Sequence, residues 1–339
     1  MNTTKYAPVL IPTLNRYVHF KLCIESLEKC KGAEHTDVYV ALDYPPSDKY
    51  VDDWKKVDAY LQEKEKTNGF KSLIVHRRKE NYFFSGRGNL ESLIKDLPTD
   101  VDCYILSEDD NEFSPCFLDY MNQNLQKYKE DESIFCICGY LSMKDSCDSR
   151  IYSQFKSERY VAWGIGCWKD KYQDFLSFYN KTKVLDFVNS TKVQKYYKDD
   201  KRESILASIV AIANGAPLLG DVVLGAYMRY KDMYCILPTK SMVRNHGWDG
   251  SGSHGGTVVG YETQEICVNS DYVIKEALES FGQEYDERMH QRRRSRKLTL
   301  NEQAGRITWY LYKYTGIFCQ FKGLHDFCKN IKNKLHGNK

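Results

Sequence analysis

Apolar runs of strand length alternate with amphipathic segments along the first 141 residues, and this alternation constrains the fold more than any other feature of the sequence. The amphipathic segments carry apolar side chains at helical spacing, as in VHFKLCIESLEKC at 18–30. The apolar runs occupy residues 7–14, 37–45, 72–79, 102–110 and 133–141. Strands that alternate with helices are typical of βαβ units, in which helices cover a largely parallel sheet. The sequence therefore predicts an α/β fold of three layers with a mostly parallel central sheet.

Polar residues lie at the ends of four of these predicted strands. They are Asn15 with Arg16, Asp43, Arg77 with Arg78, and the acidic triplet Glu108, Asp109 and Asp110. The carboxyl ends of parallel strands share one edge of the sheet, and ligands of open α/β sheets bind beyond that edge. We therefore expect these side chains to line a single cleft.

Three adjacent carboxylates follow an apolar run in DCYILSEDDNEFSP, residues 102–115. Neighbouring carboxylates repel one another, and a carboxylate near the core is costly unless it is paired. Mg²⁺ and Mn²⁺ take carboxylate oxygens as ligands, commonly one or two from the protein together with substrate phosphates. The triplet is therefore either a Mn²⁺ or Mg²⁺ site, with Asp110 the favoured ligand, or an acidic turn ahead of the helix predicted at 114–131.

Three further features carry chemistry, each with a structural alternative. The segment NHGWDGSGSHGG at 245–256 lacks the Lys-Ser/Thr ending of a P-loop. Its His254 is a candidate metal ligand or proton carrier, or else an ordinary exposed histidine. Asp221 precedes an amphipathic helix and is either a general base or the N-cap of that helix. Trp163, next to Gly164, packs either on a sugar ring or in the core.

Cysteine usage and the N-terminal sequence bear on the compartment. None of the 12 cysteines forms a CxxC pair, which favours buried free thiols in a reducing compartment over disulfides or zinc ribbons. The N-terminus has no basic segment followed by an apolar core. No apolar run approaches the roughly 18 residues of a spanning helix. These features predict a cytoplasmic protein.

The charge is distributed unevenly along the chain. Residues 285–339 carry 13 Lys and Arg against 4 Asp and Glu, a net charge of +9, although the whole chain has only +3. Basic residues beside aromatic ones suit an anionic membrane surface. A solvated face and a partner helix are the alternatives for this tail. Nucleic-acid binding is disfavoured, because the rest of the chain is acidic and contains no recognition motif.

Several motifs together resemble a known family. PVLIPTLNR, then VYVALD, then YILSEDDNEFSPCFLDYM resemble the N-terminal half of a GT-A fold (Rossmann-like) glycosyltransferase. The sequence is most similar to the inverting family 2 enzymes of bacterial polysaccharide synthesis and to the N-acetylglucosaminyltransferase I family. The latter shares the pattern of a strand, an acidic triplet, three residues, a small residue, Pro, any residue and Phe. NHGWDGSGSHGG resembles the N-x-G-x-DGSG-x-H segment of family 2, so the resemblance spans about 7–256.

The resemblance implies roles for individual residues. Arg16 would contact the diphosphate, Asp43 the uracil ring, and Glu108 and Asp109 the donor sugar and ribose. Asp221 stands where these enzymes place the catalytic base, although Gly220 replaces the first residue of their usual acidic pair. The implied donor-binding set is Pro12, Thr13, Asn15, Arg16, Asp43, Arg87, Glu108 and Asp109; the metal ligands are Asp110 and His254; Trp163 and Gly164 would line the acceptor pocket.

The resemblance also implies a reaction. A UDP-sugar would donate a hexosyl or N-acetylhexosaminyl group, with inversion, to a glycan or lipid-linked acceptor in capsule or lipopolysaccharide synthesis. A nucleotide-sugar-binding half would span 1–141, an acceptor-binding and catalytic half 142–260, and a helical, basic C-terminal extension 261–339. The alternatives are a sugar-phosphate nucleotidyltransferase, a nuclease, or a non-catalytic glycan-binding protein. The sequence leaves open the sugar, the acceptor, homo-oligomer formation and whether the tail binds the inner face of the plasma membrane.

Overall fold

Four parallel strands and their connecting helices form the beginning of the fold, as the alternation predicts. The computed structural model describes residues 6–82, 88–142, 151–178, 180, 182–216, 220–251, 257 and 260–317. The strands are β1 (Val9–Thr13), β2 (Asp37–Leu42), β3 (Ser72–Arg77) and β4 (Cys103–Leu106), and the helices are α1 (Tyr17–Glu28), α2 (Val51–Lys64), α3 (Asn89–Asp96) and α4 (Phe117–Lys127). β1 lies between β2 and β4, and β3 pairs with β2. Val9, Leu10 and Ile11 have no exposed surface, as expected for a central parallel strand that is covered on both faces.

The sheet is completed by strands from later in the chain. These are β6 (Ile134–Cys138), β7 (Gln154–Ser157), β8 (Ile165–Trp168) and β9 (Tyr234–Pro238). The eight-stranded order is β3-β2-β1-β4-β8-β6-β9-β7. β8 runs antiparallel between β4 and β6, and β7 runs antiparallel at the edge beside β9. The α/β fold with a mostly parallel central sheet is confirmed, whereas β7 and β8 are strands that the sequence analysis does not predict.

A second, two-stranded sheet adjoins the acidic triplet in the sequence. β5 (Asn111–Phe113) pairs antiparallel with β10 (Val243–Asn245), so that Asn111 lies opposite Asn245. Val243 and Phe113 are buried, and the two strands have three residues each. This pairing brings the start of the glycine-rich segment to the end of β4.

The chain divides into two compact units. The first contains Met1–Tyr172 and Tyr234–Glu279, and the second contains Gln173–Met233 and Ser280–Lys339. The remaining helices are α5 (Lys169–Phe178), α6 (Val184–Asn189), α7 (Thr191–Asp199), α8 (Glu203–Ala213), α9 (Gly220–Lys231), α10 (Glu279–Ser295) and α11 (Leu300–Thr315). All but the start of α5 and the first residue of α10 belong to the second unit. Within the predicted extension at 261–339, the described helices are α10 and α11, and residues 261–278 contain no helix.

Helix α11 packs closely on α8 in the second unit. A Cβ atom on Gly305 would lie 2.6 Å from Cβ of Ser204, so this glycine permits the close approach. Trp309 is only 3% exposed. Thr299 and Glu302 form a capping box at the start of α11, which satisfies two backbone donors that a helix otherwise leaves unpaired.

Arginines of the basic C-terminal region form ion pairs within the second unit. The buried carboxylate of Asp200 contacts His290 at 2.5 Å and Arg293 at 2.9 Å. Other pairs in this region are Arg294–Glu287, Arg296–Glu302 and Arg306–Glu203. Part of the basic charge is thus neutralised locally. None of the described helices combines the length and apolar character needed to cross a lipid bilayer.

Candidate donor-binding site

Two buried carboxylates lie just beyond the carboxyl end of β4. Asp109 and Asp110 are 6% and 5% exposed. They belong to a turn between β4 and β5, in which the amide of Asn111 donates to the hydroxyl of Ser107 at 3.1 Å. The backbone N–H of Ser107 donates to the carbonyl of Leu10 in β1 at 3.0 Å. The sheet therefore fixes both ends of the acidic turn.

Arg16, at the start of α1, neutralises part of this charge. Its guanidinium forms ion pairs with Asp109 and with Asp110, the latter at 2.7 Å from Nη1 to Oδ2. The hydroxyl of Thr13 donates to Oδ2 of Asp109 at 2.9 Å. Burial raises the pKa of Asp109, and the charge of Arg16 acts in the opposite direction. The predicted proximity of the ends of β1 and β4 is thus realised in three side-chain contacts.

Residues after β10 cover Asp110. The side-chain amide of Asn245 donates to Oδ1 of Asp110 at 2.7 Å, and the backbone N–H of His246 donates to the Asp110 carbonyl at 2.8 Å. A Cβ atom on Gly247 would lie 2.9 Å from Cγ of Asp110 and 3.2 Å from Nη1 of Arg16. A side chain at this position would therefore collide with the ion pair, so only glycine fits there.

A second charged group supports this cover. Oε2 of Glu112 lies 2.8 Å from both Nη1 of Arg244 and Nε2 of His246. These partners lower the pKa of Glu112, and the hydrogen bond with His246 has the largest effect. Nε2 of His19 lies 3.2 Å from the carbonyl of His246 and 3.1 Å from Oδ2 of Asp249. Glu112 and its partners thus hold residues 244–249 against β5 and α1.

Asp43 lies at the end of β2, next to β1. It is 3% exposed, and its backbone N–H donates to the Thr13 carbonyl at 2.9 Å. Its carboxylate accepts the backbone N–H of Tyr82 at 2.8 Å and the side-chain amide of Asn81 at 3.2 Å. Arg78 lies over the ring of Tyr82, 4.8 Å from its centroid. Asp43 therefore orders residues 81 and 82 at this edge of the sheet.

An aromatic cluster connects Trp163 to the covering residues. The ring of Trp163 lies 4.5 Å from that of Tyr140 and 5.3 Å from that of Tyr261, and Tyr261 lies 5.5 Å from Trp248. Trp248 directly follows Gly247. Gly164 has a φ of +67°, and a Cβ atom there would lie 2.9 Å from Val243. Tyr140 is buried, whereas the other three rings are half-buried and keep a partly accessible surface.

The other predicted site residues are distributed differently. Pro12 and Asn15 are half-buried beside Thr13, and Glu108 is exposed. Asp221 is exposed in the first turn of α9, in the second unit. Arg87 and His254 lie outside the described residues. Arg77 forms ion pairs with Asp58 and Glu65, so its side chain connects β3 to α2.

Several residues of the site were missed by sequence reasoning. They are His19, Asn81, Glu112, Arg244, Asn245, His246 and Gly247. The signal for the last three was present in the NHG that opens the glycine-rich segment. The same segment contains His254, nine residues after Asn245, which was the histidine predicted as a ligand. The roles of Glu112 and Arg244 depend on the β5–β10 pairing, which neither short strand indicates by itself.

The carboxylate oxygens of this site suit a hard divalent cation that is also coordinated by a diphosphate. Arg16 offers one positive charge to two carboxylates, so the cluster keeps negative charge that would repel a diphosphate. Mg²⁺ commonly takes only one or two protein carboxylates and completes its shell with phosphate and water. Arg16 already pairs with Oδ2 of Asp110, so a cation would compete with the guanidinium for that oxygen.

Comparisons with known proteins reveal distant structural similarity. No protein-family model matches the sequence, and no curated protein sequence matches it. TarS from S. aureus shares 16% identity over 38% of this chain and 24% of that chain, with a TM-score of 0.28. A structure of S. aureus TarS 1–349 shares 11% identity over 94% of this chain and 75% of that chain, with a TM-score of 0.38. The third structure is mannosyltransferase PcManGT from Pyrobaculum calidifontis in complex with GDP-Man and Mn²⁺. It shares 12% identity over 67% of this chain and 70% of that chain, with a TM-score of 0.38. Similarity this distant assigns no activity, so the function depends on the geometry of the site.

Proposed function

We propose that this protein is a glycosyltransferase that moves a sugar from a nucleotide-sugar donor to a glycan or lipid-linked acceptor. The observation that carries the proposal is the buried pair Asp109 and Asp110 beyond β4, held by Arg16 from the end of β1 and covered by Asn245 and Gly247. Nucleotide ligands of open α/β sheets bind beyond this edge. The motif EDDNEFSPCF, on which the resemblance to GT-A glycosyltransferases depends, contains the same acidic pair.

In this proposal Asp110 would hold a Mn²⁺ or Mg²⁺ ion, with His254 as a further candidate ligand. Such an ion, when bound, neutralises charge on the diphosphate leaving group. The chain's own contribution is preorganisation. Thr13 and Asn245 each donate a hydrogen bond to one carboxylate, at 2.9 and 2.7 Å. Carboxylates that are already fixed would receive a cation with little rearrangement.

UDP is the nucleotide that we propose for the donor. Asp43 and the residues that it orders, Asn81 and Tyr82, would receive the uracil ring. Arg16 and Arg87 would contact the diphosphate, and Pro12, Asn15 and Glu108 would complete the donor contacts. The transferred group would be a hexosyl or N-acetylhexosaminyl residue.

The proposed reaction is a single displacement with inversion. Asp221 would accept the proton of the acceptor hydroxyl, whose oxygen attacks the anomeric carbon as the bond to UDP breaks. Trp163 and Gly164 would line the acceptor pocket, where the half-buried rings of Trp163 and Tyr261 offer flat apolar surfaces. We place this reaction in bacterial surface polysaccharide synthesis, on the cytoplasmic side, with the basic C-terminal region contacting the inner face of the plasma membrane.

Nucleotide binding and donor turnover test the proposal directly. Calorimetric titration with UDP, GDP and other nucleoside diphosphates, with and without Mn²⁺, should show Mn²⁺-dependent binding of UDP. Incubation with UDP-sugars should release UDP, whereas a nucleotidyltransferase would consume pyrophosphate and form a nucleoside triphosphate. Asp110→Ala should abolish the Mn²⁺-dependent part of binding. Asp102→Ala is the matched control, because its side chain is 61% exposed at the other end of β4. Equal UDP affinity in wild type and Asp110→Ala would exclude the proposed site.

A second variant separates binding from transfer. Asp221→Asn should bind UDP like the wild type, since Asp221 has no proposed donor contact, but should lose transfer to an acceptor by a factor of roughly 10²–10⁴. UDP release in the presence of a glycan acceptor is the measurement. Transfer within a factor of three of the wild-type rate would show that Asp221 is not the base.

A further inference from the structure

Three cysteines meet in the sheet of the first unit, on strands β6 and β9. Cys136 and Cys138 lie two residues apart on β6, so their side chains point to the same face. Cys235 on the neighbouring strand β9 is the register partner of Cys136. All three have no exposed surface, and their sulfur atoms all lie within 4.8 Å of one another.

The spacing of these sulfur atoms is that of ligands around one ion. Sγ of Cys136 lies 3.4 Å from Sγ of Cys235 and 3.8 Å from Sγ of Cys138. A metal–sulfur bond of about 2.3 Å places sulfur ligands about 3.8 Å apart in tetrahedral geometry and about 4.0 Å apart in trigonal geometry. Two of the spacings are therefore within about 0.6 Å of those in a coordination set, and the third pair of sulfur atoms lies within 4.8 Å.

Polar groups lie beside the sulfur of Cys138. The backbone N–H of Val161 hydrogen-bonds to this sulfur, and the positively charged Arg159 acts on it as well. Metal-bound thiolates are commonly supported by such outer contacts.

We propose that Cys136, Cys138 and Cys235 form a binding site for a soft, thiophilic cation of the Cu⁺ and Zn²⁺ class. Thiolates select these ions over Mg²⁺ and Mn²⁺, so the site is chemically separate from the carboxylates at the end of β4. Uptake of the ion displaces thiol protons to solvent, because the ligands bind as thiolates. The bound ion cross-links β6 to β9 and so stabilises the folded sheet.

Cadmium is a suitable probe, because its thiolate complexes absorb in the ultraviolet through charge transfer. The full-length protein, stripped with a chelator and kept reduced with a phosphine, is titrated with CdCl₂ before and after refolding from urea in the presence of Cd²⁺. We expect a charge-transfer band that saturates at one equivalent per chain, persists in excess Mn²⁺ and accompanies a higher melting temperature. Absence of the band in both preparations would overturn the proposal.

Variants identify the ligands. Cys138→Ser and Cys235→Ser should each lose most of the band, whereas Cys167→Ser should keep it. Cys167 is the matched control, because it is fully buried and is the register partner of Cys136 on β8, but it does not belong to the sulfur trio. Cadmium NMR of the wild-type protein gives a readout that is independent of variant folding, with a chemical shift expected for three sulfur ligands. A shift typical of oxygen ligands, or a band unchanged in Cys138→Ser, would refute the assignment.

Discussion

Replacing Gly247 with alanine tests whether the residues after β10 close the acidic site. The added Cβ atom would lie 2.9 Å from Cγ of Asp110, closer still to Oδ2, and 3.2 Å from Nη1 of Arg16. Real Cβ atoms essentially never come within 3.0 Å of such neighbours. Because the neighbours here form a buried ion pair, the overlap cannot be relieved by swinging a flexible surface side chain aside.

Two movements relieve the overlap, and each loses a contact to a charged group. If residues 245–247 move away, the hydrogen bond from Asn245 to Asp110 breaks; if the carboxylate turns, its pair with Arg16 breaks. A hydrogen bond to a charged group contributes about 1.5–3 kcal/mol. If this energy is lost from the binding of the diphosphate, the affinity for UDP should decrease roughly 10- to 150-fold.

Titration calorimetry with UDP and Mn²⁺ measures this loss, and Gly225→Ala in α9 provides the matched control. At Gly225 a Cβ atom would meet only the hydroxyl of Tyr197, at an ordinary 3.5 Å. Alanine in a helix interior is favoured over glycine by about 0.5–1 kcal/mol, so Gly225→Ala should bind UDP normally and melt no lower than the wild type. If Gly247→Ala binds UDP within a factor of two of the wild type, the cover does not shape the site.

Two further predictions concern the second unit. Burial acts to raise the pKa of Asp200, but the hydrogen bond with His290 and the charges of Arg202 and Arg293 lower it to about 2, from an ordinary value of 3.8. Because the folded-state pKa lies below the unfolded one, Asp200 contributes about 2 kcal/mol to the free energy of unfolding above pH 4, and this contribution is lost as the pH falls toward 2. In urea titrations Asp200→Asn should therefore unfold more easily than the wild type at neutral pH. Its free energy of unfolding should decrease less than that of the wild type between pH 4 and pH 2. Gly305→Ala should lower the melting temperature, since overpacking against Ser204 costs about 1–3 kcal/mol. Ser204→Gly should recover part of that loss in the double variant, because it removes the nearest of the overlapping atoms. An unchanged melting temperature in Gly305→Ala would contradict the close packing of α11 on α8.

The parallel part of the fold was predictable because its central strands carry mostly buried residues on both faces. Such strands leave uninterrupted apolar runs, and VLIPT in β1 and DVYVAL in β2 stand out between polar segments. β8, with the sequence IGCW, has four residues including a glycine. Its position between β4 and β6 is set by pairing with both neighbours. A local sequence pattern carries no information about that pairing, so β8 was not predicted from the sequence.

The acidic pair illustrates the same division within the site. Asp109 and Asp110 follow an apolar strand, and a strand end in an α/β sheet is the place where a ligand site is expected. Topology was therefore enough to bring Arg16 and Asp43 to the same edge. The roles of individual side chains could not be predicted from topology alone. Thr13 interacts with Asp109, and Asn81 with Asp43, through one hydrogen bond each. Neither contact alters the periodicity from which the strands were predicted.

The site also depends on contacts between distant parts of the chain. Oδ1 of Asp110 and its backbone carbonyl accept hydrogen bonds from Asn245 and His246, and Asn245 is 135 residues away in the sequence. Without these partners the buried carboxylate would lose hydrogen bonds whose absence costs about 1–3 kcal/mol for each unsatisfied group. The strands from β1 to β4 therefore supply the acidic turn, but its carboxylates reach a stable, preorganised arrangement only when β10 pairs with β5. Donor binding should accordingly require the chain through Gly247, even though most of the donor contacts that we propose come from its first 110 residues.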